Sequence, residues 1–162
     1  MGRRRRSRRT SHRACLTQVP ALSGEVGIAI DGCHIEAVER IIEVAADRRR
    51  VGGIYQSAPI ALFFVKASPA YMSMMHGQDT MMIELIELAG SAGALELMGA
   101  YEEALYELGG RPHWGQINAM TPDFVASAYP RYADWQDVTA GSTQAASSTA
   151  RSRGASGSPT SG

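Results

Sequence analysis

The stretch Gly109-Gly110-Arg111-Pro112-His113-Trp114-Gly115-Gln116 concentrates the chain's chemical potential. Two glycines end a helical pattern, Pro112 fixes the exit, and His113 and Trp114 stand where a bend can aim them. Gly115 leaves room for a second backbone or a flat ligand to come close. A bend carrying His and Trp on a rigid scaffold is a place where function sits. The other reading is a packed turn in which Trp114 fills an apolar gap. Of the four histidines, His113 alone falls in a candidate site. His34 opens a helix as a cap or solvent contact, and His76-Gly77-Gln78-Asp79 reads as a turn.

Glu84 is the second candidate. It stands mid-strand among apolar neighbours in Met82-Ile83-Glu84-Leu85-Ile86. A carboxylate there must be paired, wetted by a cavity or raised in pKa, as functional carboxylates often are. The alternative is that its face of the strand is solvent or rim. Lys66 ends the preceding strand pattern, and pairing of the two strands would bring it near Glu84, as an ion pair or as two polar walls of one pocket. The sequence has no Gly-rich phosphate loop, no nucleophile elbow and no His/Cys cluster at metal spacing, so no metal site is expected.

The elements that must hold these residues follow from periodicity. Val26–Ile30 reads as a short strand within Glu25–Asp31, with Asp31 as N-cap of a helix carrying Ile35, Val38, Ile41, Ile42 and Ala45 at helical spacing. Arg48, Arg49 and Arg50 close that helix at the negative end of its dipole. Pro59–Lys66 reads as a strand buried on both faces near its middle. Tyr71–Asp79 is a loop or short edge segment whose methionines either line an adaptable pocket or fill core gaps. Thr80–Leu88 is a strand with Met82, Glu84 and Ile86 on one face and Ile83, Leu85 and Glu87 on the other. Leu95, Met98, Tyr101, Leu105 and Leu108 give a second helix with Glu96, Glu102, Glu103 and Glu107 outside. Thr121-Pro122-Asp123-Phe124 reads as N-cap, N1 proline and helix start, and Tyr132–Val138 as one more helical turn.

The order β-α-β-β-α plus short C-terminal helices predicts an α+β fold: a small antiparallel or mixed sheet with two main helices on one face. A three-stranded sheet is thin, and its other face would need a second layer, which suggests a unit built to dock. Residues 1–24 and 139–162 are expected to be disordered, the first Arg-rich and the second Ala/Ser/Thr/Gly-rich.

The 162 residues suffice for one domain, and an apolar fraction of 44% supports a core. A formal net charge of zero hides a split: residues 14–138 carry seven basic residues against all 16 acids, a net of −9. An acidic body is not a nucleic-acid binder, because phosphate contacts need clustered positive charge. Cys15 and Cys33 give neither a disulfide framework nor metal spacing, so free thiols in a reducing, cytoplasmic setting are expected. No apolar run is long enough to span a bilayer, and the leading arginines are not followed by the apolar segment of a secretory signal.

Ser68-Pro69-Ala70-Tyr71, Gly77-Gln78-Asp79-Thr80, the Arg111-Pro112-His113-Trp114-Gly115 run and Tyr129-Pro130-Arg131 recur in this order in a known family. Over about residues 25–138 the chain resembles the C-terminal part of FAD-dependent oxidases of the vanillyl-alcohol-oxidase superfamily. The nearest group is D-arabinono-1,4-lactone, L-gulonolactone and alditol oxidases. The resemblance implies a cap domain over the flavin that supplies the substrate pocket. It implies Glu84 and His113 as catalytic residues, Lys66, Glu84 and Gln116 as substrate-binding, and His113 and Gln116 at the flavin. It also implies that Phe64 and Lys66 stand where relatives carry a Glu and an Arg, and that Gln116 replaces a usual lysine. The implied cofactor is FAD, bound mainly by a domain absent from this sequence. The implied partners are a polyol, sugar-lactone or alcohol substrate and that missing domain, with membrane association suggested by the family alone. The chain by itself is then expected to be inactive. A small α+β binding or oligomerisation module without catalysis is the alternative.

Overall fold

A computed structural model describes residues 20–142. Strand β1 (Ala21–Ala29) leads into helix α1 (Cys33–Gly52); β2 (Ala61–Val65) and β3 (Thr80–Leu88) follow, then α2 (Ala94–Glu107), β4 (Arg111–Pro112) and α3 (Pro122–Ala128). A last helix, α4, runs over 132–142. The strands form one antiparallel sheet in the order β2-β3-β1-β4. The architecture is therefore α+β, as the periodicity predicts.

Both main helices cover one face of the sheet. Val26 and Ile28 of β1 and Met81, Ile83 and Leu85 of β3 meet Ala37 and Ile41 of α1 and Leu97, Tyr101 and Leu105 of α2 in one buried cluster. Alternation along β3 sends Glu87 to this same side. It is buried there and accepts the backbone N–H (3.0 Å) and the hydroxyl of Ser57. Tyr101 donates its hydroxyl to Gln56 Oε1 (2.9 Å), and Gln56 donates to the carbonyls of Ala58 and Ile86 (both 2.8 Å), so the polar groups entering the core are tied to the 54–58 connection.

Several elements differ from the sequence expectation for identifiable reasons. β1 starts at Ala21, inside the stretch expected to be disordered, because Ala21–Gly24 pair with Leu85–Leu88. A fourth strand exists because Gly109, at φ 77°, turns the chain so that Arg111 and Pro112 lie opposite Gly27 and Val26. The N-cap of α1 is Gly32, with no side-chain cap, rather than Asp31. Ile35, Ile42 and Leu95 are exposed, because the buried stripes run through Ala37 and Ile41 on α1 and through Leu97, Met98, Tyr101 and Leu105 on α2. Glu102, expected outside, is 3% exposed and accepts the Ala119 N–H (3.0 Å). β2 is not a buried strand but the bare sheet edge, with Leu62, Phe63 and Phe64 exposed. α4 continues past residue 139, where the tail was expected to begin; residues 1–19 and 143–162 lie outside the described part. At α3, Thr121 accepts the Phe124 N–H with its side chain and Pro122 opens the first turn.

Candidate functional site

The sheet face away from the helices carries Ser23, Glu25, Gly27 and Ala29 of β1 alongside Thr80, Met82, Glu84 and Ile86 of β3. One half of it is covered by the methionine loop. A Cβ on Gly27 would lie 2.9 Å from Thr80 Cγ2, 3.2 Å from Met82 Sδ and 3.5 Å from Met74 Cβ, so the absent side chain is what lets this loop settle on the sheet. Arg111 holds the loop there, donating from Nη1 to the carbonyls of Met74 (3.3 Å) and His76 (3.0 Å). Its guanidinium stands 5.9 Å from the Tyr129 ring centroid, and burial lowers its pKa.

Trp114 and the Tyr129-Pro130-Arg131 segment complete this scaffold. Trp114 Nε1 donates to the Met72 carbonyl (2.9 Å), and its ring lies 5.0 Å from that of Tyr129. Tyr129 is buried, donates to the Pro112 carbonyl (2.9 Å), and has its pKa pushed up to about 12 by that burial. Arg131 pairs with Asp134 and lies over the Tyr71 ring at 4.3 Å. Trp114 is 46% exposed, so it straps a loop rather than filling a gap.

The other half of the face stays open and polar. Glu84 stands directly opposite Glu25 across the β1–β3 ladder, which places their Cβ atoms about 5 Å apart. His113 donates its backbone N–H to the Glu25 carbonyl (2.8 Å), which seats its ring beside the Glu25 carboxyl. Gly115 donates its N–H to His113 Nδ1 (3.0 Å). The neutral ring therefore carries its proton on Nε2, which has no protein partner among the described residues. Gln116 accepts from the Ser23 hydroxyl (3.0 Å) and reaches Glu25 Oε2 from Nε2 (3.5 Å). Asn118 donates to the carbonyls of His113 (3.4 Å) and Gln116 (2.9 Å) and so fixes the turn.

Glu84, His113 and Gln116 thus share one face, around a residue the sequence reading missed. Glu25 touches or faces all three. Its one sequence signal was an acidic residue at an alternate position to Val26 and Ile28, without any indication of register. Lys66 and Phe64 are placed elsewhere. Glu84 is opposite Ala61, so Lys66 lies five residues further along, about 16 Å away at strand spacing. Its Nζ binds Asp79 Oδ2 at 2.6 Å, its side chain is 90% exposed, and the expected contact with Glu84 does not form. Phe64 is opposite Met81 and belongs to the helix side of the sheet, where it is 67% exposed.

Partial burial, followed by the like charge of Glu84, raises the Glu25 pKa, and His113 opposes that rise. A raised carboxyl pKa costs stability once the unfolded chain ionises and the folded one does not. The cost is absent well below pH 4.5, the ordinary value, and grows as pH rises from there through the folded pKa. Glu25→Gln will therefore match the parent in acid and exceed it in thermal midpoint at neutral pH. Melting curves across that range will show the gap opening as pH increases, and a gap that closes instead would contradict this electrostatic account.

A groove lined by Arg40, Arg48, Glu103 and Glu107 runs between α1 and α2, on the far side of the sheet from these groups. Among the described residues no cluster of three or more His, Cys, Asp or Glu could hold a metal ion, and no helix is long and apolar enough to cross a membrane.

The model of the D-arabinono-1,4-lactone oxidase family matches residues 6–141. The chain belongs to this family. It is 26% identical over 102 residues to alditol oxidase from Streptomyces sp., covering 63% of this chain and 23% of that protein. It is 31% identical over 97 residues to L-gulono-1,4-lactone dehydrogenase from Mycobacterium tuberculosis, covering 60% of this chain and 22% of the relative. The match thus spans less than a quarter of each of these relatives.

Proposed function

We propose that residues 20–142 form the substrate-facing cap of an FAD-linked oxidoreductase that acts on a CH–OH group of a sugar lactone or polyol. In this reading the flavin is held mainly by residues outside this sequence, and the chain alone turns nothing over. The observation that carries the reading is the open polar half of the sheet face, where Glu84, Glu25, His113 and Gln116 stand together in a chain of the lactone-oxidase family.

The residues suit a flavin neighbour in one specific respect: His113 offers a fixed Nε2–H with no acceptor among the described residues, at the rim of an otherwise acceptor-rich surface. FAD, when bound, supplies the hydride acceptor. Glu84 accepts a substrate hydroxyl and can take its proton. His113 donates to an oxygen that gains negative charge. Gln116 is committed to Ser23 and Glu25 and acts by holding the Glu25 carboxyl in place. Soluble small molecules are the natural ligands of such a surface, and the free thiol of Cys33 suits the cytoplasm.

Reconstitution tests this reading. The 162-residue chain, incubated with FAD, will retain no stoichiometric flavin absorbance. Co-expressed with the part of the Mycobacterium tuberculosis dehydrogenase that its match to this chain leaves uncovered, it will form a yellow complex that a polyol or lactone bleaches. Stoichiometric flavin on the chain alone, or a complex that no such compound bleaches, would overturn it. A binding or oligomerisation module without catalysis draws on a different observation, the bare apolar edge at β2. It predicts a clean dimer on size exclusion and no effect of added flavin domain.

A further inference from the structure

The two edges of the sheet are built differently. β4 is two residues long and ends in Pro112, which gives a further strand little to pair with. β2 has five residues, no proline and no charge, and no strand lies beyond it among the described residues. Its side chains are bare on both faces. Leu62 and Phe64, opposite Ile83 and Met81, belong to the helix side; Phe63, opposite Met82, belongs to the other face; all three are exposed. A finished edge strand carries a device that discourages pairing, such as a lysine, a proline, a bulge or a covering segment. β2 has the composition of a strand from inside a sheet, apolar towards both faces, with its outer neighbour missing.

We infer that β2 is paired, in the working protein, by an extended strand from the part of the oxidase outside this sequence, a strand with apolar side chains on both of its faces. The inference rests on the cap reading and names the surface on which the cap meets its remainder. The relatives are matched over only 22–23% of their length, which leaves ample chain to supply such a strand. Residues 1–13, with seven arginines, and 143–162, without a large apolar residue, do not have the composition for it. A second copy of β2 fits less well: it offers five residues a side, where a lasting interface takes roughly 20–30. A strand of the remaining oxidase adds to the contacts made at the polar face, so β2 does not carry that interface alone. Ala61 is opposite Glu84 across the β2–β3 ladder, so the incoming strand runs about 10 Å from Glu84 and closes that side of the polar face.

Hydrogen–deuterium exchange tests this, on the 162-residue chain alone and on the same chain co-expressed with the part of the Mycobacterium tuberculosis dehydrogenase that its match leaves uncovered. In the complex the outward amides of Ala61–Val65 will exchange at least about tenfold more slowly than in the chain alone. Phe63→Lys will weaken assembly at least about tenfold, because it brings a charge to the edge that must be buried. Val51→Lys, at an exposed apolar site on the end of α1, will assemble like the parent. Exchange at Ala61–Val65 that is the same in both states, a Phe63→Lys chain that assembles as well as the parent, or a Val51→Lys chain that fails as badly would each overturn the inference. So would a dimer of the chain alone that protects these amides and that the dehydrogenase part does not dissociate. A complex that a polyol or lactone bleaches while β2 still exchanges freely would remove this inference and leave the cap reading standing; the absence of any complex would remove both. The exchange rates of the parent chain decide the matter even if a substituted chain fails to fold.

Discussion

Gly110→Ala will lower the unfolding free energy by about 3 kcal/mol, the upper range for forcing a methyl into a packed site. The added Cβ would sit 2.6 Å from the Leu105 carbonyl oxygen, 3.0 Å from its carbon and 2.7 Å from Val26 Cγ1. Two of these atoms are helix backbone, so no side-chain rotation relieves the clash. The Leu105 carbonyl also accepts the Gly110 N–H at 2.9 Å, and moving the chain away gives up that bond. Val26 is buried in the core opposite Pro112, so a shift at Gly110 also pulls β4 off β1. His113, held to the Glu25 carbonyl from the end of β4, would then leave the carboxylate pair. Gly99→Ala is the matched control. Its Cβ meets nothing within 4 Å on an exposed turn of α2, so it will gain about 0.5–1 kcal/mol from helix propensity. Urea unfolding of the two variants beside the parent will separate them. A loss at Gly110 under about 1 kcal/mol would mean that the bend is not as tight as its contacts require.

What the sequence made legible, and what it hid, follows the same division between local and distant contacts. β3 and α2 were readable because their side chains repeat with the period of the element, and Thr121-Pro122 because a cap is a four-residue affair. β4 was hidden, since two residues have no period. Its existence depends on Gly109 and Gly110 folding back against a strand far earlier in the chain. β2 was misread because an apolar run such as Ala61–Val65 looks the same at a sheet's centre and at its edge. Glu102 was placed outside on a helical wheel, but its acceptor duty is to Ala119, in a loop the wheel cannot include. The site shows the same limit. His113 and Glu84 stood out by type and setting, and the family resemblance came through in the turns around them. The Glu25–Glu84 juxtaposition is a matter of register between distant strands, which spacing does not encode. The expected contact of Lys66 with Glu84 fails for that reason: one strand pairing was foreseen, its register was not. The conspicuous Trp114 and Arg111 proved to be fasteners for the methionine loop, a role set by the Met72, Met74 and His76 carbonyls rather than by anything in their own neighbourhood.

In the reconstituted complex, the proposed cap role has His113→Asn cut turnover by roughly 10²–10³, the usual effect of losing one preorganised donor to a developing oxyanion. The substitution is chosen because the imidazole does two separable things. Its Nδ1 accepts the Gly115 N–H at 3.0 Å and shapes the turn, while the resulting tautomer leaves Nε2–H free to donate outward. An asparagine Oδ1 occupies the place of Nδ1 and can keep the Gly115 bond, but it has nothing at the position of Nε2. A glutamine reaches the position of Nε2 with an amide N–H, but surrenders the acceptor to Gly115. If His113 acts by donating, His113→Gln will retain more turnover than His113→Asn although its turn is the more disturbed. If it acts by holding the loop, the order will reverse and the asparagine variant will resemble the parent. Thermal midpoints of the two complexes supply the independent measure of the turn, and they are expected to rank opposite to the rates. Identical rates and midpoints in all three proteins would remove His113 from the chemistry and from the scaffold together. The open polar surface would then have to work through Glu25 and Glu84 alone.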